Sequence, residues 1–447
     1  MRIDKIEISN FRGFYERKRN FTFDPAMNVV VGNNTSGKTA LLHAVQIALG
    51  AFFPGFDLLP KANQQYRRSF SKEDVSRPYN PATLDYDRAP ENPSITSYGL
   101  ITDYIESLDG DPIPDERKIS WVRKLKKSTI DRGDLMPIAE NLNRMRRLRD
   151  KNSRVVLPLL LAFGVNSMGN DYKKVGKTSS QESAIEKAYK NALIEEKTDF
   201  SGAFDWIYSY DDNLERKTVH EGNDIAFYNA IKEAIPAIDK ISIDIKRVQF
   251  KARYTVTGMS TDYRSYEEMS AGFQSTIALV SEIAYRCILL NKFLGEEAVH
   301  RTPGVVLIDE VDQYLHPRWQ RHILHDLQKA FPKIQFIVTT HSPFIIQSVQ
   351  NKNLIILDPL SKTIDPENMG IEDIAEVLMG MKTRLRSEKY QKKYQLATEY
   401  LNLVNQGNSC PDQIAEVRQQ LNDLELKKEM IEDPAFAAYL QFKRGNI

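Results

Sequence analysis

The stretch Gly32-Asn33-Asn34-Thr35-Ser36-Gly37-Lys38-Thr39 constrains this chain more than any other. It fits G-x-x-x-x-G-K-[ST], the pattern of a loop that wraps phosphate (a P-loop). The flanks suit it. Asn28-Val29-Val30-Val31 reads as a short β-strand entering the loop, and the run from Ala40 to Leu49 as a helix leaving it. Strand, loop and helix together aim backbone N–H groups and the positive end of a helix at one anion. In that geometry Lys38 neutralises β/γ-phosphate charge and the Thr39 hydroxyl holds Mg²⁺. No G-x-G-x-x-G accompanies the strand, which argues against a dinucleotide fold.

A second half of such a site lies far along the chain. Val305-Val306-Leu307-Ile308-Asp309-Glu310 is an apolar strand ending in two carboxylates. Beside a P-loop this is a Walker B arrangement, with Asp309 holding Mg²⁺ and Glu310 orienting or deprotonating an attacking water. A third β-run, Ile334 to Thr340, ends at His341, which is placed to contact a γ-phosphate. Val311 to Leu315 follows the carboxylates and is placed to cross a subunit boundary. Upstream, Met269-Ser270-Ala271-Gly272-Phe273-Gln274 opens a helix, and Ser-x-Gly at a helix N-terminus is a second anion-binding device. Two such devices in one chain predict a composite site: one copy supplies Gly32 to Thr39, its partner Ser270 to Gly272.

Composition leaves this reading room. A length of 447 residues allows two or three domains, and 41% hydrophobic with 27% charged residues is an ordinary globular balance. Two cysteines, Cys287 and Cys410, support neither a disulfide framework nor a Cys-rich zinc site, so a reducing, cytoplasmic setting is expected. The longest strongly apolar run, Val155 to Phe163, is too short for a membrane span and reads as a buried strand. The net charge of +1 hides an asymmetry: residues 117–154 carry +9. Two readings of that segment stand, a nucleic-acid-facing arm and a solvated helical face.

Elsewhere, residues 3–8 read as an edge strand and Phe21-Thr22-Phe23 as a second one. Pro54 to Pro114 is proline-rich and reads as an irregular insertion, and 241–245 with 250–256 as two strands. Trp206 reads as core. Apolar positions at Tyr390, Tyr394, Ala397, Leu401 and Val404, then at Ile414, Val417, Leu421 and Leu424, predict a C-terminal helical hairpin, followed by a short helix from Asp433-Pro434. His316, His322 and His325 cluster without the cysteines or H-E-x-x-H of a zinc site.

The order P-loop, MSAGF-Q, VVLIDE, VDQYLHP, TTH resembles the ABC-type ATPase head, in the branch shared by SMC-like repair ATPases and OLD-family proteins. The resemblance implies that Arg12, in Ile8-Ser9-Asn10-Phe11-Arg12-Gly13-Phe14, is a basic residue near the nucleotide. It departs from the family at the signature, where Met269, Ala271 and Phe273 replace Leu, Gly and Gln of LSGGQ, and no long coiled coil interrupts the head. The nucleotide-lining glutamine of the branch has no motif to mark it. Over its whole length the chain resembles the ATPases of Septu antiphage defence (the PtuA family), also found in some retron systems. Phe204-Asp205-Trp206-Ile207 and Met369-Gly370-Ile371-Glu372-Asp373-Ile374 carry that likeness. It implies a homo-oligomeric ATPase, a dimer at least, that controls an HNH nuclease of the PtuB type, with DNA or msDNA contact through 117–154 and no membrane partner.

The expected architecture is therefore an α/β P-loop head with a helical or irregular insertion and a C-terminal helical hairpin. Its expected parts are 1–60 with the P-loop, 61–234 as the insertion, 235–365 with signature, Walker B and His switch, and 366–447 as a partner or oligomer region. The residues expected at the nucleotide are Arg12, Gly32, Asn33, Asn34, Thr35, Ser36, Gly37, Lys38, Thr39, Ala40, Ser270 and Gly272. Glu310 and His341 are the expected catalytic groups, Thr39 and Asp309 the expected metal ligands, and ATP and Mg²⁺ the expected ligands. A DNA-repair ATPase acting directly on DNA is the alternative. A self-contained nuclease is disfavoured, because no clustered Asp/Glu pattern follows His341.

Overall fold

Ile3, Ile6 and Ile8 are fully buried along the strand Arg2–Ser9. That strand is central, not the expected edge: it pairs antiparallel with Arg19–Thr22 on one side and Ser94–Ile105 on the other. Its second partner comes some ninety residues later, inside the proline-rich stretch, so local patterning gave no sign of it. The sheet continues through Ile113–Leu125 to Thr129–Gly133, all antiparallel. In the computed structural model the described residues are 1–15, 18–56, 66–89, 91–107, 111–126, 129–147, 154–165, 183–194, 202–207, 222–244, 249–256, 259–260, 262–313, 315–357 and 366–377, with scattered positions from 396 to 420. The chain divides into two compact units, Met1–Gly380 and Met381–Ile447. The expected C-terminal hairpin and the helix after Asp433 lie essentially outside the described residues.

A second sheet is wholly parallel, in the order Leu354–Ile356, Met27–Val31, Ile334–Thr339, Gly304–Ile308, Leu159–Phe163. The middle strands are buried at every position, which is why they read as continuous apolar runs instead of alternating ones. The P-loop helix Lys38–Leu49 touches Ser94–Ile105 and Ile113–Leu125 of the antiparallel sheet and Ile334–Thr339 of the parallel one. All its residues but Thr39 are buried.

Trp121 and Arg123, on the inner face of the antiparallel sheet, close the C-terminal end of that helix. Trp121 Nε1 donates to Ala48 O at 2.8 Å, and Arg123 Nη1 donates to Ile47 O. The last carbonyls of a helix lack intrahelical donors and carry partial negative charge, so a guanidinium there is stabilising. Gly50 permits the approach, since a Cβ there would lie 2.6 Å from Arg123 Nη1.

The described residues within 61–234 take part in both sheets. They supply three strands of the antiparallel sheet and one of the parallel sheet. The basic stretch is a strand, Ile113–Leu125, then a helix, Leu135–Arg147, whose Leu142 and Met145 are buried. Of its cations, Arg123 is fully buried, Arg117 pairs with Asp103 and Asp115, and Arg144 pairs with Glu106. Trp206 is partly buried and packs against the core, its ring tilted against Phe227 and Tyr285. Strands Ile238–Asp244 and Gln249–Val256 form where alternation predicts them, and the signature helix runs Ala271–Asn291.

Candidate nucleotide site

Register brings the motifs together. Ile308 lies opposite both Val338 and Phe163, and Thr339 lies opposite Val30. The C-terminal ends of these strands therefore form one edge, where the P-loop, Asp309-Glu310 and Thr340-His341 all emerge. This carboxyl edge is where open α/β sheets bind ligands.

In the P-loop, Lys38 Nζ donates to Gly32 O at 2.8 Å and Asn33 O at 3.0 Å. Burial pushes the Lys38 pKa down, while Asp309, Glu310 and Asp312 pull it partly back up. A desolvated ammonium gains from the charge of an incoming polyanion, and the three carboxylates hold it charged until one arrives. Gly37 has φ 101°, in the left-handed region, and a Cβ there would meet the Phe14 ring at 3.1 Å. Phe14, from the Asn10–Phe14 turn, therefore packs directly against the P-loop. The Ser36 hydroxyl is buried with no hydrogen-bond partner among the described residues. Asn34, Thr35 and Thr39 are exposed, and Ala40 is buried under the loop.

A line of hydrogen bonds joins the two halves of the motif set. Thr39 Oγ1 donates to Asp309 Oδ2 at 3.0 Å. Thr339 Oγ1 donates to Asp309 Oδ1 and accepts from the Glu310 N–H at 2.8 Å. Glu310 has φ 52°, an unusual conformation for a non-glycine residue, held also by Val311 N donating to Thr339 O at 3.0 Å. The strained turn directs the Glu310 backbone at the strand end while its side chain stays partly exposed. Thr39 and Asp309 place a hydroxyl and a carboxylate side by side, the hard oxygen donors that Mg²⁺ takes. The donor set and the partnerless Ser36 hydroxyl fit a metal–phosphate ligand.

His341 sits partly exposed at the same edge. Its backbone N–H donates to Asp312 Oδ1 at 3.3 Å, and the same oxygen accepts from Thr340 Oγ1 at 2.5 Å. Arg12, expected at the nucleotide, has its Nε on Asp74 Oδ1 at 2.7 Å and its own N–H on Asp74 O at 2.9 Å. Asp74 is fully buried, and Ser76 Oγ donates to Arg12 O at 2.7 Å. Arg12 is thus clasped in a turn that packs on the P-loop.

Ser270 is the N-cap of the signature helix, is exposed, and makes no side-chain capping bond. Two of the three departures from LSGGQ, Met269 and Phe273, are packed into the core, while Ala271 is exposed. Met269 and Phe273 are buried, Phe273 lying 4.5 Å from the Tyr254 ring and 4.2 Å from the Trp319 ring. Gln274 Nε2 ties the turn down by donating to Tyr266 O at 2.9 Å and Met269 O at 3.1 Å. Within one chain, P-loop, Asp309, Glu310 and His341 come together, while among the described residues Ser270 and Gly272 make no hydrogen bond to them.

Sequence reasoning missed Thr339, Asp312 and Asp74. Thr339 stood within the β-run ending at His341 and Asp312 within the segment expected to cross a subunit boundary, neither with a role of its own; Asp74 lay in a stretch with no assignable role. Among the described residues no group of three metal-ligating side chains occurs, and in the histidine stretch His316 Nδ1 accepts from Arg318 N.

Residues 27–347 match the family described as "AAA domain, putative AbiEii toxin, Type IV TA system". The chain belongs to that AAA-domain family. It is similar to Septu protein PtuA of Bacillus mycoides (strain KBAB4), with 35% identity over 29% of this chain and 17% of that protein. It is also similar to the Retron Vc95 probable ATPase of Vibrio cholerae serotype O1 biovar El Tor, with 36% identity over 31% of this chain and 28% of that protein. The matched segments thus span less than a third of either relative. A solved SmcHead bound to the C-winged helix domain of ScpA aligns over 78% of this AAA-domain chain and 92% of its own, at 16% identity and TM-score 0.44. No helix among the described residues is long and apolar enough to cross a membrane.

Proposed function

We propose that this chain is a cytoplasmic, nucleotide-controlled ATPase subunit of an antiphage defence complex. The observation that carries the reading is the line Thr39–Asp309–Thr339–Glu310 at the mouth of the P-loop. The P-loop N–H groups and Lys38 bind the β- and γ-phosphates of ATP. Mg²⁺, held by Thr39 Oγ1 and Asp309, neutralises phosphate charge when bound. Glu310 accepts the proton of a water that attacks the γ-phosphorus; the bond to the β–γ bridging oxygen breaks, and ADP and phosphate leave. His341 bears on the γ-phosphate from the neighbouring strand end.

The uncapped Ser270 and the adjacent Gly272 face outward, so they meet the nucleotide of a second copy and make dimerisation part of the chemistry. Arg12 orders the turn under the P-loop through Asp74. The names of the relatives, a Septu protein PtuA and retron ATPases, support the defence setting; control of an HNH nuclease of the PtuB type is the partner role we propose within it. Direct action on DNA remains the second reading, favoured by the exposed Lys118, Lys124, Lys126, Arg132 and Arg147; it requires steep salt dependence of DNA affinity. The deciding test pairs Lys38→Ala, expected to lose ATP binding, with Glu310→Gln, expected to bind ATP and turn it over slowly. Wild-type turnover in Glu310→Gln would remove Glu310 from the chemistry.

A further inference from the structure

Between the signature turn and the His341 loop lies a helix of one turn, Pro317–Gln320, which begins on the last residue of the VDQYLHP motif and whose Trp319 and Gln320 no motif covers. Two of its residues face in different directions. The Trp319 ring stands nearly perpendicular to Phe273, at 79°, with centroids 4.2 Å apart. Phe273 follows Ser270 and Gly272 in the same helical turn, so Trp319 packs on the base of the surface offered to a second copy.

Gln320 points toward the nucleotide edge and uses both ends of its amide. Its Nε2 donates to Leu315 O at 2.9 Å and to Asp312 O at 3.3 Å. Its Oε1 accepts from Ser342 Oγ at 2.7 Å. Ser342 in turn caps the helix Pro343–Gln347, accepting from Phe344 N at 3.1 Å, and its own N–H donates to Thr340 Oγ1 at 2.9 Å. Asp312 Oδ1 holds Thr340 and the His341 N–H from the other side. Gln320 and Asp312 are therefore two side chains that tie the segment after Glu310 to the segment around His341.

We propose that Gln320 is a positioning residue for ATP turnover, and that through Trp319 and Phe273 it couples the Ser270–Gly272 turn to the placement of His341. The proposal rests on the ATPase reading above. The physical basis is contiguity: close-packed rings do not deform continuously, so a shift of the signature turn on meeting a partner's phosphate moves Trp319, and the Gln320 amide carries that shift to both of its anchor points. Among the described residues Gln320's hydrogen bonds go to Asp312, Leu315 and Ser342 and none to the P-loop or Lys38, so it is expected to bear on turnover and not on ATP affinity.

The test uses the full chain, with steady-state ATP hydrolysis, equilibrium ATP binding and a double-mutant cycle. Gln320→Leu removes both polar ends at similar volume and is expected to lower kcat about tenfold or more, with the Kd for ATP within about threefold of wild type. Phe273→Leu is expected to lower kcat about threefold, and the double variant to be no slower than about twofold below Gln320→Leu alone. Should Gln320→Leu fail to fold, Gln320→Glu carries the same test: it keeps the acceptor for Ser342 and loses both donor bonds. Unchanged kcat in the Gln320 variants, a matching loss of ATP affinity, or fully multiplicative effects in the cycle would overturn the coupling while leaving the ATPase reading intact. Absence of ATP binding by the wild-type chain would overturn both.

Discussion

Thr339→Val is the sharpest probe of the candidate site. Thr339 is fully buried, and valine matches its shape, so no cavity opens. What disappears is one hydroxyl with two jobs: it donates to Asp309 Oδ1 and accepts the Glu310 N–H at 2.8 Å. A hydrogen bond to a carboxylate contributes about 1.5–3 kcal/mol, and an N–H left without a partner costs about 1–3 kcal/mol. The two losses share one group and are not additive, so a net destabilisation of about 2–4 kcal/mol is expected. The Glu310 turn, at φ 52°, then loses a restraint that opposes relaxation. If about 3 kcal/mol of positioning is lost in the transition state, kcat falls about 100-fold. ATP affinity changes little, because Lys38 and the loop N–H groups are untouched. Urea unfolding, phosphate release and equilibrium ATP binding measure the three quantities. Thr339→Ser restores the hydroxyl and loses one methyl, about 1 kcal/mol of stability, and is expected to recover most of the turnover. Near-wild-type kcat in Thr339→Val, or an equal loss in Thr339→Ser, would refute the argument that this hydroxyl sets Glu310.

Two further expectations follow from the same geometry. Burial lowers the Lys38 pKa, so between its folded value and the ordinary value of about 10.4 the unfolded chain binds the extra proton, and stability rises with pH. Thermal melts without nucleotide are therefore expected to show wild type gaining on Lys38→Met as pH rises toward the ordinary lysine value of about 10.4; a constant gap would remove the buried charge as its cause. Asp74→Asn keeps the size but weakens the clasp on Arg12, whose Nε lies 2.7 Å from the buried carboxylate. Removing that charge is expected to cost about 2–4 kcal/mol of stability and to raise the KM for ATP more than it lowers kcat, read from urea unfolding and steady-state kinetics.

Much of the site was legible because its signals are local. Glycine spacing, an apolar strand ending in Asp309-Glu310, and Ser270 before a helical pattern each depend on a few consecutive residues and on backbone geometry they dictate. The signature departures were equally visible as residue changes, but their cause was not: Phe273 is explained only by Tyr254 and Trp319. The basic segment is the clearest case of sequence reading running out. Its charge was countable, yet Arg123 serves a helix end some seventy residues earlier, and the edge or centre position of Arg2–Ser9 hung on a strand beginning at Ser94.

By itself, then, the amino-acid sequence determined that this chain carries a P-loop, a carboxylate-ended strand, a His-ended strand and a second helix N-terminus, because each is written in contiguous residues. Only the tertiary structure decided which of them meet. Parallel register aligns four strand ends on one edge, Thr339 and Asp312 link neighbouring loops across it, and Asp74 captures Arg12. Those contacts join residues tens to hundreds of positions apart. Burial and register select them among many polar groups that look alike in sequence, and no local period records the choice.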